Sequence, residues 1–371
     1  MDAETRQAVG DAREAFPPAD DVDTGPVVFG FDGYLDRVRV VVADRTDPEA
    51  YERLRTLSGF RDRVDRSVEA DSSLSFEWLE DGRRTGGHTC HLARAFGTWG
   101  CSPTMVGMYG DPIRDTFASE FGECELVSLG DPGVTDAVEF DDGKLMLTEV
   151  GDTMDLDWAG IEERLGHARL VEHLEGTALL GVGYWSETPD LPDILDGLRA
   201  RWSDIPDPPE TILVDPGDVR KLDAERLRAG RAAIDALTEV ADVVLSANRA
   251  ETAVLADAFA GEADRDFEPA AEAVAEAVSP TWFVGHGVDR AVVVADGDTH
   301  GVAVPTVDEP AMTTSSGDHF NAGLALGAIS GLSPAAAVVL GNSVAGYFVR
   351  TADQPSLADV REFLDGYTAK F

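Results

Sequence analysis

A single acid, Asp318, stands at the start of a predicted helix, directly after two serines and a glycine. Apolar residues then recur at intervals of four from Phe320, which is the spacing of one buried helix face. The unpaired N–H groups of such a helix start, those of Ser315, Ser316 and Gly317, can hold an anion. An ionised acid cannot bind that anion and is better placed to take a proton from a neighbouring group. Together, an anion cradle and a base are the minimum equipment for moving a phosphoryl group onto a hydroxyl.

The same stretch also fits an ordinary helix start that has no chemical role. Serine and glycine commonly cap helices, and the positive end of the helix dipole favours an acid in the first turn. On these residues alone, a helix cap and an active site are both open interpretations, and the rest of the chain has to decide between them.

Apolar strands alternate with helical segments from about residue 170 onward. The predicted core strands begin at Thr177, Thr211, Ala241, Trp282 and Ala291. Such alternation is typical of an α/β fold in which a mostly parallel sheet carries helices on both faces. Neither a complete G-x-G-x-x-G fingerprint nor a G-x-x-x-x-G-K-[ST] loop accompanies the strands. Their absence disfavours a dinucleotide-dependent oxidoreductase and a P-loop enzyme.

The first core strand is predicted over 27–30, and two acids, Asp32 and Asp36, follow it. Residues at the carboxyl edge of an α/β sheet lie where ligands bind, and carboxylates accept the paired hydroxyl hydrogens of a polyol. An Asp-Gly turn with solvated acids is the alternative interpretation. Residues 1–26 are predicted to be a short helix and a connector ahead of one main domain over 27–371.

Three segments are predicted to form a small sheet that covers the site as a lid, at about 36–45, 72–85 and 134–150. β-branched alternation predicts strands in the first two segments, and a turn at Asp142-Gly143 folds the third into a hairpin. The four strands are predicted at 37–42, 74–79, 134–140 and 144–150, with a helix over 47–68.

The stretch TTSSGDHFNAG resembles the D-T-T-G-A-G-D-x-F-x-A-G signature of the ribokinase-like (PfkB) carbohydrate and nucleoside kinases. The resemblance implies a three-layer α/β/α sandwich with a mostly parallel central sheet and a small β-sheet lid. It also implies that Asp318 is the catalytic base and that Ser315, Ser316 and Gly317 form the anion hole. The chain departs from the signature at Met312, where an Asp is usual, and at Ser315, where a Gly is usual.

Two further segments are similar to substrate-binding motifs of this family. Asp36 matches an acid that grips substrate hydroxyls after the first strand, and Asp32 is a second candidate for that role. The segment TGGHTCHLA resembles the family's G-G-x-x-x-N-x-A loop, which implies that Gly86, Gly87 and His91 lie at the substrate. His91 replaces the usual Asn, and an imidazole can still donate a hydrogen bond to a hydroxyl.

The pair Asn248 and Glu251 resembles the family's N-x-x-E motif, which positions Mg²⁺ near the phosphates of the nucleotide. An Asn helix cap with Glu at the third position is the alternative interpretation. Gly285 and Gly287 resemble the glycine turn beneath the nucleotide, and Asn342 lies by position where family members contact adenine.

The net charge of −40, from 70 acids and 30 bases, has the sign opposite to that of a nucleic-acid-binding surface. The acids are spread along the chain and 43% of residues are hydrophobic, which predicts a folded protein with an acidic surface. This composition resembles that of cytosolic proteins of extreme halophiles. No stretch approaches the ~18 apolar residues of a membrane span, and no signal peptide is recognisable. We expect a cytoplasmic protein that binds neither nucleic acid nor membrane.

The cysteines and neighbouring histidines do not predict a metal centre or a disulfide framework. Cys90, Cys101 and Cys124 lack the spacing of metal ligands and cannot all pair with one another. His88 and His91 flank Cys90, but no fourth ligand candidate lies nearby in the sequence.

The resemblance implies an ATP-dependent phosphotransferase that moves the γ-phosphate to a hydroxyl of a sugar or sugar-like substrate, with Mg²⁺ as cofactor. A nucleoside or sugar-phosphate kinase is an alternative, and Arg83-Arg84 could hold a sugar phosphate or lie on a solvated lid surface. A non-catalytic sugar or nucleoside sensor on the same fold is a further alternative, motivated by the departures at Met312, Ser315 and His91. Two chains could pair through the lid as a homodimer.

The residue at position 312 predicts how the protein responds to monovalent cations. In many relatives the acid at this position helps to bind a monovalent cation beside the anion hole, and the Met312 thioether cannot replace its hard oxygen ligands. We therefore predict that exchanging Na⁺ for K⁺ at constant ionic strength changes the reaction rate little. A sharp requirement for K⁺ in a steady-state assay would contradict this prediction.

Overall fold

The computed structural model describes residues 1–48, 50–261 and 265–371, which form two sheets with flanking helices. The strands are, in chain order, β1 (Val27–Phe31), β2 (Tyr34–Arg45), β3 (Tyr51–Arg53), β4 (Trp78–Gly86), β5 (Thr104–Gly107), β6 (Glu125–Ser128), β7 (Gly133–Phe140), β8 (Gly143–Glu149), β9 (Leu179–Gly183), β10 (Thr211–Val214), β11 (Asp242–Asn248), β12 (Trp282–His286), β13 (Arg290–Ala295) and β14 (Asp298–Ala303). The α-helices are α1 (Ala3–Ala15), α2 (Leu57–Glu69), α3 (His88–Thr98), α4 (Asp115–Glu120), α5 (Trp158–Arg164), α6 (His167–Leu174), α7 (Leu191–Arg201), α8 (Ala224–Leu237), α9 (Arg249–Ala260), α10 (Phe267–Val278), α11 (Ser316–Ile329), α12 (Pro334–Thr351) and α13 (Leu357–Asp365). Within the described ranges, every helix is too short or too polar to cross a lipid bilayer.

The central sheet has nine strands in the order β14-β13-β12-β11-β10-β9-β1-β5-β6. From β12 to β6 all neighbouring strands run parallel, and β13 and β14 continue the sheet in antiparallel fashion at one edge. The inner strands β1 and β9 are buried along their whole length, as the short apolar runs in the sequence predicted. The predicted α/β class with a mostly parallel sheet is confirmed.

Helices cover both faces of this sheet and enclose two apolar cores. One core contains side chains from α5 to α10, and the other contains side chains from α1, α3, α4 and α11 to α13. The N-terminal helix α1 belongs to the second core, where Val9 and Ala12 are fully buried. Its Thr5 hydroxyl oxygen accepts a hydrogen bond of 2.9 Å from the Ala303 amide, which ties α1 to the edge strand β14. The result is a three-layer α/β/α arrangement.

A second sheet of five strands is built around the long strand β2, which pairs with β3, β4 and β7, while β8 pairs with β7. Helix α2 packs on one face of it, where Leu57 and Phe60 lie against Val41, Val138 and Phe140. This small sheet, as we call β2, β3, β4, β7 and β8, contains the segments predicted to form a lid.

Two predicted elements of the small sheet are displaced. The helix predicted over 47–68 begins only at Leu57, because Thr56 caps it through a 3.0 Å bond from the Gly59 amide and 51–53 forms a strand. The strand predicted over 74–79 runs instead from Trp78 to Gly86, because β4 pairs along most of β2. As a result, β4 carries the chain directly into the glycines before α3.

Parallel strands deliver polar residues to one edge of the central sheet. Asp32 follows β1, Tyr184 follows β9 and Asp215 follows β10. Asn248 and His286 are the last residues of β11 and β12. Because parallel strands share their carboxyl edge, these residues from five separate parts of the chain are brought to a common region.

Candidate active site

A cavity of about 320 Å³ opens at the carboxyl edge of the central sheet. Its lining includes Asn248 and Glu251 and also residues 315–318. Tyr184, Asp215 and His286 also line it. The structure therefore brings the predicted base, anion cradle and metal motif together.

The anion cradle at the start of α11 depends on an unusual backbone conformation of Ser315. This residue caps α11 with a φ of 65°, in the left-handed region that favours glycine. Its carbonyl oxygen accepts a 2.7 Å hydrogen bond from Nδ1 of His319, which helps to hold that conformation. The N–H of Ser316 donates to the Thr313 carbonyl at 3.2 Å, so this predicted anion-hole donor must leave that turn before it can bind a phosphate.

The departures from the family signature at positions 91 and 315 contact each other. Nε2 of His91 lies 3.2 Å from Oγ of Ser315 and 4.0 Å from Oδ2 of Asp318. The Arg94 guanidinium lies 3.1 Å from Nδ1 of His91, and because a guanidinium only donates, the imidazole hydrogen must be on Nε2. Burial and the Arg94 charge lower the pKa of His91 to about 3. A neutral His91 therefore donates toward the Ser315 hydroxyl.

Asp318 is buried in the first turn of α11 and is well suited to accept a proton. Its Oδ1 accepts a short hydrogen bond from the Tyr184 hydroxyl, which orients the carboxylate. Burial and the nearby charge of Asp215 raise the pKa of Asp318 to about 6. The group is thus ionised at neutral pH and titrates close to it.

Asp215 is a functional candidate that the sequence analysis did not assign. It directly follows the buried strand β10, and it lines the cavity. Its Oδ2 accepts a 2.7 Å hydrogen bond from the Asn321 amide, whose oxygen accepts a 2.6 Å bond from the Ser246 hydroxyl. The rule that identified Asp32, an acid directly beyond a core strand, would also have identified Asp215.

His88 is a second candidate that the sequence analysis missed. The side chain is completely buried, and its Nδ1 lies 3.5 Å from Oδ2 of Asp215 and 3.9 Å from Oδ1 of Asp318. Burial lowers the pKa of His88, but the carboxylates of Asp215, Asp318 and Asp32 outweigh that effect, and the net shift is upward. Its contact with two acids far along the chain gave no signal in the local sequence.

Asp32 does not line the cavity. Its carboxylate instead binds the first backbone amides of α3. Its carboxylate accepts hydrogen bonds from the His88 amide at 2.8 Å and from the amide and hydroxyl of Thr89 at 3.0 and 2.7 Å. A Cβ at Gly87 would lie 2.6 Å from Oδ2 of Asp32, so Gly87 allows this close approach. With no exposed surface and its oxygens occupied, Asp32 has a structural place rather than the predicted contact with substrate.

Asp36 and Gly86 lie side by side on the small sheet. A Cβ at Gly86 would be 3.2 Å from Oδ2 of Asp36, and Asp36 stands opposite Arg84 on β4 and Thr135 on β7. Burial raises the pKa of Asp36, while Thr135 and the charges of Arg84 and Lys144 oppose that shift. The contact of Asp36 with substrate hydroxyls stays a prediction.

Asn248 and Glu251 form a capping box at the start of α9. The Asn248 side chain accepts from the Glu251 amide at 3.0 Å, and the Glu251 carboxylate accepts from the Asn248 amide at 2.8 Å. The cap is therefore real, and both residues also line the cavity. Burial and the charge of Asp215 raise the pKa of Glu251 to about 8. Such a carboxyl group gains its charge most readily when a cation binds beside it.

The predicted nucleotide-binding residues are only partly brought together. Gly285 and Gly287 flank His286, which lines the cavity and stacks on Phe320 with the ring centroids 4.7 Å apart. Asn342 lies elsewhere, because it is buried in α12 and donates a 3.1 Å hydrogen bond to the Tyr367 hydroxyl. The structure therefore does not place Asn342 where an adenine ring could reach it.

Comparison with known proteins assigns the chain to one family along nearly its whole length. The family model for prokaryotic ketohexokinase matches residues 1–367. A ketohexokinase from Haloferax volcanii is 51% identical over 371 residues, which cover 100% of this chain and 98% of that protein.

Solved structures show the same fold at low sequence identity. A ribokinase from Thermotoga maritima matches with a TM-score of 0.61 at 17% identity, over 92% of this chain and 100% of its own. A variant of phosphofructokinase-2 from Escherichia coli matches with a TM-score of 0.62 at 14% identity, over 93% of this chain and 100% of its own. The predicted resemblance to the ribokinase-like kinases is confirmed.

The left-handed conformation of Ser315 predicts an order of stability among variants. We expect the Ser315→Ala variant to be less stable to unfolding than Ser315→Gly by about 1 kcal/mol, because only glycine adopts this φ without strain. Chemical denaturation at constant KCl would measure the difference. Gly10→Ala is the matched control, since Gly10 lies in α1 with open space around it and alanine there should stabilise by about 0.5–1 kcal/mol. Equal stability of the two Ser315 variants would contradict the prediction.

Proposed function

Because the chain belongs to the prokaryotic ketohexokinase family, we propose that this ATP-dependent sugar kinase phosphorylates a hydroxyl of a ketohexose. One observation carries the proposal, namely 51% identity to a ketohexokinase over the entire chain. The cavity adds chemical support, because it places a buried carboxylate beside a helix start that can hold a phosphate.

In the proposed mechanism Asp318 takes the proton of the attacking hydroxyl. Its position in the first turn of α11 and its bond from Tyr184 hold the carboxylate toward the cavity. The start of α11, with the N–H groups of Ser315, Ser316 and Gly317, would stabilise charge on the transferring phosphoryl group. Phosphoryl transfer depends mostly on positioning and charge stabilisation, so a base with a pKa of about 6 suffices.

Glu251 and Asn248 are proposed to hold Mg²⁺ beside the nucleotide phosphates. The described lining of the cavity contains acids at 187, 215, 218, 251 and 318, and no lysine or arginine. Polyphosphate cannot approach such a surface without a cation between them. Glu251 and Asn248 would hold Mg²⁺, which would supply that charge beside the phosphates. The rest of its shell can be water, because this ion retains water readily.

Replacing Glu251 by glutamine tests the metal site without removing the helix cap, because glutamine also completes a capping box. We expect the apparent affinity for Mg²⁺ to fall at least about tenfold, read from initial rates at fixed ATP. Wild-type affinity should rise as pH approaches about 8, since the ion displaces the Glu251 proton. Asp359→Asn is the matched control, since Asp359 completes another capping box on α13. Unchanged Mg²⁺ dependence of Glu251→Gln would refute the assignment.

An acceptor panel tests the proposed function directly. Ketohexoses, aldohexoses, pentoses, hexose phosphates and nucleosides would be compared at equal concentration with ATP and Mg²⁺ in high KCl. We expect a ketohexose to give the highest kcat/KM, by about tenfold or more over its aldose isomer, since misplaced hydroxyls leave buried polar groups unpaired. Preference for a nucleoside or a sugar phosphate would replace the proposed acceptor, and binding without ADP release would favour a sensor.

A further inference from the structure

Asp215 and Asp318 direct their carboxylates into one small buried space, and His88 lies between them. The side-chain ligand atoms of the three residues are all within 4.8 Å of one another. Carboxylates repel each other at such distances, and the charge of Asp215 is itself one cause of the raised Asp318 pKa. A positive charge at His88 would remove most of that repulsion.

We propose that His88 is a positioning residue. Its imidazole is protonated and lies between the carboxylates of Asp215 and Asp318, where its positive charge keeps the base of the reaction ionised and correctly oriented. The proposal rests on the proposed role of Asp318. It gives His88 no contact with substrate, because His88 acts through the carboxylate beside it. His88 belongs to the GGHTCH segment of this chain.

Contacts to the backbone and to the ring of His88 hold this residue in one orientation. The Asp32 carboxylate accepts the His88 amide hydrogen at 2.8 Å and thereby holds the first residue of α3. A Cβ at Gly183 would lie 2.9 Å from Cγ of His88, so the ring passes close against β9. The buried cap at Asp32 therefore serves to aim His88 at the two acids.

The ring nitrogens of His88 have no other hydrogen-bonding role among the described residues. In the part of the chain that the structure describes, neither Nδ1 nor Nε2 makes a hydrogen bond, and the side chain has no exposed surface. Nδ1 lies nearest to Oδ2 of Asp215, at 3.5 Å. Carboxylates only accept hydrogen bonds, so a hydrogen on Nδ1 is the arrangement that both acids favour. A slight closure of the site would make this contact a charge-assisted bond.

The charged and titratable groups facing the ring come from every element around it. They are Asp32 after β1, Tyr184 after β9, Asp215 after β10, Asp318 on α11 and His91 on α3. Three of these are acids, His91 is neutral, and the Tyr184 ring packs edge-on against the imidazole with the centroids 5.5 Å apart. The upward shift of the His88 pKa agrees with this surplus of negative charge.

The pH dependence of His88→Gln distinguishes positioning by charge from a purely structural role. Without the imidazolium, the pKa of Asp318 should rise above about 6, and the acid limb of kcat/KM should move up by about one to three pH units. Turnover should therefore be lost at pH 6.5 and largely recovered near pH 9. His167→Gln, which removes an exposed histidine paired with Asp204, is the matched control and should leave the profile unchanged. An equal loss at every pH would overturn the proposal.

A titration of the wild-type protein measures the charge of His88 directly. Histidine Cε1 signals would be followed by NMR in metal-free protein, and His88 would be assigned among the seven histidines by its absence in His88→Gln or by selective labelling. We expect His88 to titrate above the usual 6.5 and to fall by at least one unit in Asp215→Asn. Titration below 6, or a tightly bound metal that survives chelation and keeps the ring neutral, would overturn the proposal. If no ketohexose is phosphorylated, the proposed acceptor fails while this titration still decides the charge of His88.

Discussion

Two carboxylates confined to one small buried space repel each other, and much of the carboxyl edge is arranged around that repulsion. Burial alone disfavours the ionised form of Asp318, and Asp215 adds to the effect. Asp215 is held by Asn321, whose side chain Ser246 orients, and Asp318 is held by Tyr184, so neither acid can rotate away without losing a partner. The site therefore holds two neighbouring negative charges, those of Asp215 and Asp318. The imidazole of His88 and a cation bound at Glu251 can balance them.

The anion cradle shows how two departures from a family signature can be read as one structural change. Serine in place of glycine at 315 introduces backbone strain and adds a hydroxyl, and histidine in place of asparagine at 91 supplies a donor to that hydroxyl. Arg94 fixes the tautomer that makes this contact possible. The pair joins the start of α11 to α3, which itself follows directly from the small sheet through Gly86 and Gly87.

The fold class and the centre of the site were accessible from the sequence because both depend on local pattern. Apolar strands alternating with helices predicted the parallel sheet, and the segment before Asp318 predicted the helix start. His88 was missed because its contacts with Asp215 and Asp318 join residues more than a hundred positions apart. Asp215 directly follows a core strand, so the rule applied to Asp32 would have identified it. Asp32 was misplaced for a related reason, since only the fold shows that α3 lies over its carboxylate. Asn342 was assigned by position along a helix, which does not tell which neighbour it meets.

The most direct measurement of the account is the turnover of Asp318→Asn with ATP, Mg²⁺ and the best acceptor. Asparagine keeps the size of the side chain and can still meet the Tyr184 hydroxyl, but it cannot take a proton. We predict that kcat falls by at least about 10²–10⁴-fold while ATP affinity, measured by calorimetry, changes little. Turnover close to that of the wild type, with ATP binding intact, would contradict the assignment of Asp318 as the base.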